Sequence, residues 1–155
     1  MKLVVIQFFL TMAFALKHFV ADYPLQTPSM LKKFSPDWRE WTNALMKHVG
    51  VHGFFTFLIA WWATTILSLG HSNLQNVCFA IALADFNAIV HFVMDRLKAS
   101  PNLLGKYKAL SAKEFATATP TQIKHNTWFW WSLGLDQMVH HLTDLICAFA
   151  IILWL

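Results

Sequence analysis

The chain has 155 residues, 57% hydrophobic and only 13% charged, with eight histidines and a formal net charge of +4. An ordinary soluble domain carries roughly 25% charged residues, so this composition excludes a water-solvated globule and points to lipid as the solvent. The length suits one domain, and the basic residues lie between apolar runs, where they read as membrane orientation rather than nucleic-acid binding.

Four apolar segments follow in chain order, at about 3–21, 44–69, 76–97 and 128–155. Each is long enough for an α-helix to cross the hydrocarbon core. The first opens like a cleavable signal, with Lys2, an apolar run and Ala13-Phe14-Ala15; we read it as a transmembrane helix. Pro24 and Pro28 end it, because proline removes a backbone donor and restrains the residue before it. The loop 22–43 carries Lys32, Lys33 and Arg39, with Lys17 and Lys47 at its edges. Gly70-His-Ser-Asn makes a short turn without Lys or Arg between the second and third segments. The stretch 98–127 carries Lys98, Lys106, Lys108, Lys113 and Lys124, with Arg96 just before it. Within it, residues 103–119 read either as an amphipathic surface helix or as a solvated loop. Thr119-Pro120 reads as the N-cap and first turn of the fourth helix. Cys78 and Cys147 sit inside apolar runs and read as small buried hydrophobes.

The predicted fold is all-α, an integral-membrane four-helix bundle formed by residues 1–155 as a single domain. Loops rich in Lys and Arg face the cytoplasm, which puts both termini on the non-cytoplasmic side. Trp38, Trp41, Trp128, Trp130 and Trp131 would belt the cytoplasmic boundary, and Trp154 the other.

Ionisable side chains inside a membrane are costly and tend to be functional. Here they recur as i, i+4 pairs: His18 and Asp22, His48 and His52, His91 and Asp95, Asp136 and His140. Such a pair lies on one helix face, and the topology puts all four pairs in the cytoplasmic half. Eight N and O ligand groups from four helices could then meet inside the bundle, as in di-metal bundle proteins. Mixed imidazole and carboxylate suits a divalent transition metal, zinc first, with iron or manganese as alternatives. Gln26, Gln137, His141 and Asp144 are expected to support the ligands from behind. Glu40 or Asp144 is the candidate general base. His71 and His125 fall outside the cluster, and Asp85 is either a separate polar contact or the lining of an outer cavity. A proton or ion pathway, and purely structural polar contacts, remain the alternatives to a metal.

His18-Phe-Val-Ala-Asp22-Tyr-Pro-Leu-Gln26-Thr, His48-Val-Gly-Val-His52-Gly, His91-Phe-Val-Met-Asp95 and Asp136-Gln137-Met-Val-His140 occur in this order over nearly the whole chain. The set resembles a family of small bacterial and phage membrane proteins known only as a domain of unknown function, numbered three thousand three hundred and seven. That resemblance implies an architecture and a motif set, a multi-pass protein of the bacterial inner (cytoplasmic) membrane, and no reaction. Trp128 to Trp131 and the long basic loop are not features of the family pattern. The chain is also loosely similar to membrane-bound metal-dependent hydrolases with scattered His and Asp motifs, an analogy at the level of fold. The first functional expectation is a metal-dependent hydrolase acting on a lipid-linked ester or phosphoester, its basic residues attracting anionic lipid head groups. A metal-ion or proton transporter is the second. A non-enzymatic membrane protein that modulates a partner complex is the third.

Overall fold

Each apolar run becomes one long helix in the computed structural model, which describes residues 2–67, 70–100, 103 and 112–155. The helices are α1 (Lys2–Asp22), α2 (Trp38–Leu67), α3 (Asn73–Ala99) and α6 (Thr127–Trp154), with two short helices, α4 (Ala112–Thr117) and α5 (Pro120–Lys124), before the last. All four long helices are long and apolar enough to cross a membrane. A 3-10 turn, Leu31–Phe34, lies between α1 and α2.

Local chemistry sets the helix ends. α2 begins well before the expected residue 44, at Trp38, because the Asp37 carboxylate accepts from the backbone N–H of Arg39 and Glu40. That satisfies donors the first turn would leave orphaned. Ser72 caps α3 with a reciprocal Gln75 contact, and Thr119 caps α5 with Gln122 in the same way. The expectation that Thr119-Pro120 starts the fourth long helix is therefore corrected. α5 ends at Lys124, and α6 has its own cap, Asn126, whose side chain accepts from Phe129 N–H. Of the helix expected over 103–119, α4 covers Ala112–Thr117; residues 104–111, with Lys106 and Lys108, lie outside the described residues.

The long helices pack in the ring order α1, α2, α3, α6, with α2 and α3 the most extensive pair. Their outer faces are apolar; Phe9, Phe54, Trp62, Ile89 and Leu145 are all exposed, as suits a surface solvated by lipid. The interior has two halves. Away from the 22–37 and 100–126 connections it is mainly apolar: Leu10, Phe14, Ala60, Ala63, Ala80, Leu83, Cys147, Ala148 and Ile151 form one buried cluster, with Thr56, Thr64 and Asn76 as buried polar side chains beside it. Its small residues let the backbones approach closely. The far end is clasped by Trp154, whose indole N–H donates to Asn76 Oδ1 at 3.0 Å and whose ring stacks 4.3 Å from Phe79 and from His71. Trp154 thus packs against His71, Asn76 and Phe79 at this end of the bundle. Cys147 is buried as expected, whereas Cys78 is exposed on the outer face of α3. The other half of the interior, at the end bearing the 22–37 and 100–126 connections, is polar and holds the candidate site.

Candidate metal centre

The i, i+4 pairs do fall on the inward face of their helices. α1 brings His18 and Asp22, α2 His48 and His52, α3 His91 and Asp95, and α6 Asp136 and His140. All are buried except Asp22, whose side chain is 15% exposed. Three imidazoles lie in a row: His91 lies between His52 and His140, with both ring centroids 3.8 Å away, stacked on His140 and tilted by 31° to His52. His18 closes the row from α1, with its ring centroid 5.4–5.6 Å from all three.

Around Asp22 the donors are close. His52 Nε2 donates to Asp22 Oδ1 at 2.9 Å, His48 Nε2 lies 3.4 Å from the same oxygen, and His18 Nε2 lies 3.0 Å from Oδ2. Ligand atoms about 2.0–2.1 Å from a tetrahedral zinc stand roughly 3.3 Å apart, so this spacing fits one. Three sets of ligand atoms each lie within 4.8 Å of one another: His18, His52 and His91; Asp22, His48 and His52; and Asp95, Asp136 and His140. His91 adds a second observation. It is 0% exposed, and neither ring nitrogen has a hydrogen-bond partner among the described residues. A buried polar group left without a partner costs roughly 1–3 kcal/mol, so native interiors hold few of them.

Residues 10–155 match the model of a family described as "Protein of unknown function (DUF3307)". The chain belongs to that family. No curated protein and no solved structure matches the chain. The family description names no activity, so the chemistry of the cluster is read from its geometry.

Three lysines distinguish this DUF3307 site from the expected one. Lys17 donates to Asp144 Oδ1 at 2.6 Å, Lys33 to Asp95 Oδ2 at 2.7 Å, and Lys98 to Asp136 Oδ2 at 2.6 Å. The sequence reading assigned all three to loop charge. Asn87 also donates to Asp144 Oδ1, at 2.8 Å. Among the described residues of the cluster, only Asp22 has imidazoles and no ammonium for partners. With the imidazoles counted as neutral, four carboxylates against three ammonium groups leave one negative charge among the described residues, at Asp22. The donor set fits one divalent cation at Asp22. By contrast, Asp95 and Asp136 already hold ammonium groups where a second cation would stand.

The supporting residues divide. Asp144 joins the cluster through Lys17 and Asn87, with His18 Nδ1 3.6 Å from its Oδ2. Gln137 Nε2 donates to Asp136 Oδ2 at 3.2 Å. His141 is exposed, although its ring lies 4.9 Å from that of His18. Gln26 is half-buried in the loop, and no side-chain hydrogen bond ties it to the cluster among the described residues. Glu40 is no candidate base here: its carboxylate accepts from Ser35 and Lys32 on the surface. Asp85 is exposed in a shallow groove between α2 and α3, beside Gly50 and Gly53.

Proposed function

We propose that this chain is a membrane-embedded, metal-dependent hydrolase acting on a lipid-linked ester or phosphoester, with the cluster in the cytoplasmic half of the bilayer. The observation that carries the reading is the convergence of His18, His48 and His52 on Asp22, beside a buried His91 with two unpartnered nitrogens. Asp22, His48 and His52 would hold the ion, with His18 and His91 adjacent. Zinc, or iron or manganese, would there polarise a bound water or an ester oxygen.

The protein's own groups supply the rest. Lys33 and Lys98 neutralise the neighbouring carboxylates, so the cation is drawn to Asp22. Asp22 is also the least enclosed of the four carboxylates, which gives solvent and substrate a way in from the 22–37 side. The apolar cluster from Leu10 to Ile151 separates the site from the far end of the bundle. That favours one-sided access over a pathway spanning the membrane, which would string ionisable groups across the whole thickness. The remaining Lys and Arg of the connections support the cytoplasmic assignment.

Elemental analysis of detergent-purified protein tests the reading. Wild type is expected to carry about one transition-metal ion per chain, and His52→Ala and Asp22→Asn to lose it. Hydrolysis of a phospholipid or polyprenyl phosphate in mixed micelles should be abolished by chelator and restored by the metal. Metal-free wild type, prepared without chelator and unable to take up zinc, iron or manganese, would reject the proposal.

A further inference from the structure

A groove of about 620 Å³ opens between the end of α3 and the start of α6. Its walls include Met94, Leu97, Trp128, Trp131 and Gly134, and among the described residues its one charged lining residue is Lys98 and no carboxylate lines it. Its size falls within the range of small-molecule sites. Lys98 is the hinge of the argument. Its side chain is 20% exposed, while its partner Asp136 is 2% exposed. The lysine therefore stands at the border between the groove and the cluster. Asp136 in turn has Oδ1 3.3 Å from His140 Nε2. Only one of the three N–H groups of the ammonium is used by protein among the described residues.

We infer that this groove binds an anionic phospholipid, its chain along the tryptophan and methionine wall and its phosphate on Lys98. An apolar, indole-lined wall facing outward at one end of a transmembrane bundle suits an acyl chain, and indoles favour the headgroup level. Lys98 keeps two N–H groups beyond its bond to Asp136, and no carboxylate lines the described walls, so a phosphate there meets donors of a cation and a negative headgroup is favoured over a zwitterionic one. The inference rests on the proposed hydrolase only in naming where its lipid enters; binding itself needs no metal.

The test uses intrinsic tryptophan fluorescence of the full chain in phosphatidylcholine vesicles. A minor fraction of brominated-chain phosphatidylglycerol, or of brominated phosphatidylcholine, is the quencher. The brominated anionic lipid is expected to be enriched roughly fivefold near the groove tryptophans, the contribution of one lysine at an anionic surface. Gly134→Leu fills the groove, since a Cβ at Gly134 meets nothing within 4 Å, and should abolish the preference without touching the cluster. Lys98→Gln should abolish it too, whereas Lys98→Arg and Lys32→Gln, the latter on the exposed loop, should keep it. Equal quenching by the two lipids in wild type, or a preference that survives Gly134→Leu, overturns the inference. So does a loss in Lys32→Gln as large as in Lys98→Gln. If Lys98→Gln fails to fold, Gly134→Leu decides alone. Metal content separates the two proposals: selective quenching in a metal-free protein sinks the hydrolase and leaves the groove standing, and the converse holds.

Discussion

Replacing Lys33 by methionine probes whether the buried lysines act as counter-ions. Lys33 Nζ lies 2.7 Å from Asp95 Oδ2, with the side chains 7% and 3% exposed. At an effective dielectric of about 20, unit charges at that separation attract by about 6 kcal/mol, and desolvation of the two ions offsets most of it. Removing the lysine alone leaves Asp95 buried without its cation, and breaking a buried pair from one side costs roughly 3–5 kcal/mol. At about 2–4 °C per kcal/mol for a chain of this size, Tm should fall by roughly 6–20 °C. Adding Asp95→Leu removes the orphaned charge and should recover part of the loss. Recovery stays incomplete because His48 and His140 have Nε2 atoms 3.2 and 3.5 Å from Asp95 and lose that acceptor. Thermal unfolding in detergent, followed by circular dichroism, measures each step. Lys32→Met is the control: Lys32 is 61% exposed in a surface pair with Glu40, where a pair contributes at most about 1 kcal/mol. A Lys33→Met transition indistinguishable from that of Lys32→Met would refute the counter-ion role and with it the argument that isolates Asp22.

His91→Phe keeps a ring between His52 and His140 but removes two unpartnered nitrogens, so chelator-treated protein should gain roughly 1–3 kcal/mol while metal content falls; unchanged metal would remove His91 from the site. In a Cys78→Ser background, Asp22→Cys should react with a membrane-impermeant thiol reagent from the basic side only, and Thr56→Cys, at a position 0% exposed, from neither side; labelling of Thr56→Cys would favour a transport path. Ala148→Leu overfills the apolar half, where Ala60, Ala80 and Ala148 are all 0% exposed, and should lower stability by about 1–3 kcal/mol with metal content retained, as unfolding and elemental analysis would report. Trp154→Ala removes the clasp and should cost roughly 3–5 kcal/mol, with faster amide exchange over the last turn of α6; exchange unaltered there would show that the clasp holds nothing.

The helical period made the cluster legible. His18/Asp22 and Asp136/His140 repeat at the spacing that stacks side chains on one face, and hydrophobic length located the spans. Lys17, Lys33 and Lys98 were not legible in the same way. A lysine near a helix end ordinarily extends its stem toward water, and sequence carries no rotamer to show that it curls inward instead. One signal was available: Lys98 follows Asp95 by three residues and so shares its face. The early start of α2 had a signal too, since Asp37 followed by Glu40 has the outline of an N-cap and N3 pair. The inward packing of Trp154 depends on His71 and Asn76, residues far away in the chain, and local pattern could not supply it.

Lipid cannot solvate an ion, so a polar interior in a membrane bundle must supply its own partners. Lys17, Lys33 and Lys98 do for Asp144, Asp95 and Asp136 what water does elsewhere, and they do it from α1, the 22–37 connection and the end of α3. Asp22 faces three imidazoles, which as neutral rings can bind a cation without adding charge of their own, and it is the most exposed of the four carboxylates. Charge balance and access therefore single out the same carboxylate, and they do so through independent features: one is counted from ion pairs, the other from exposure.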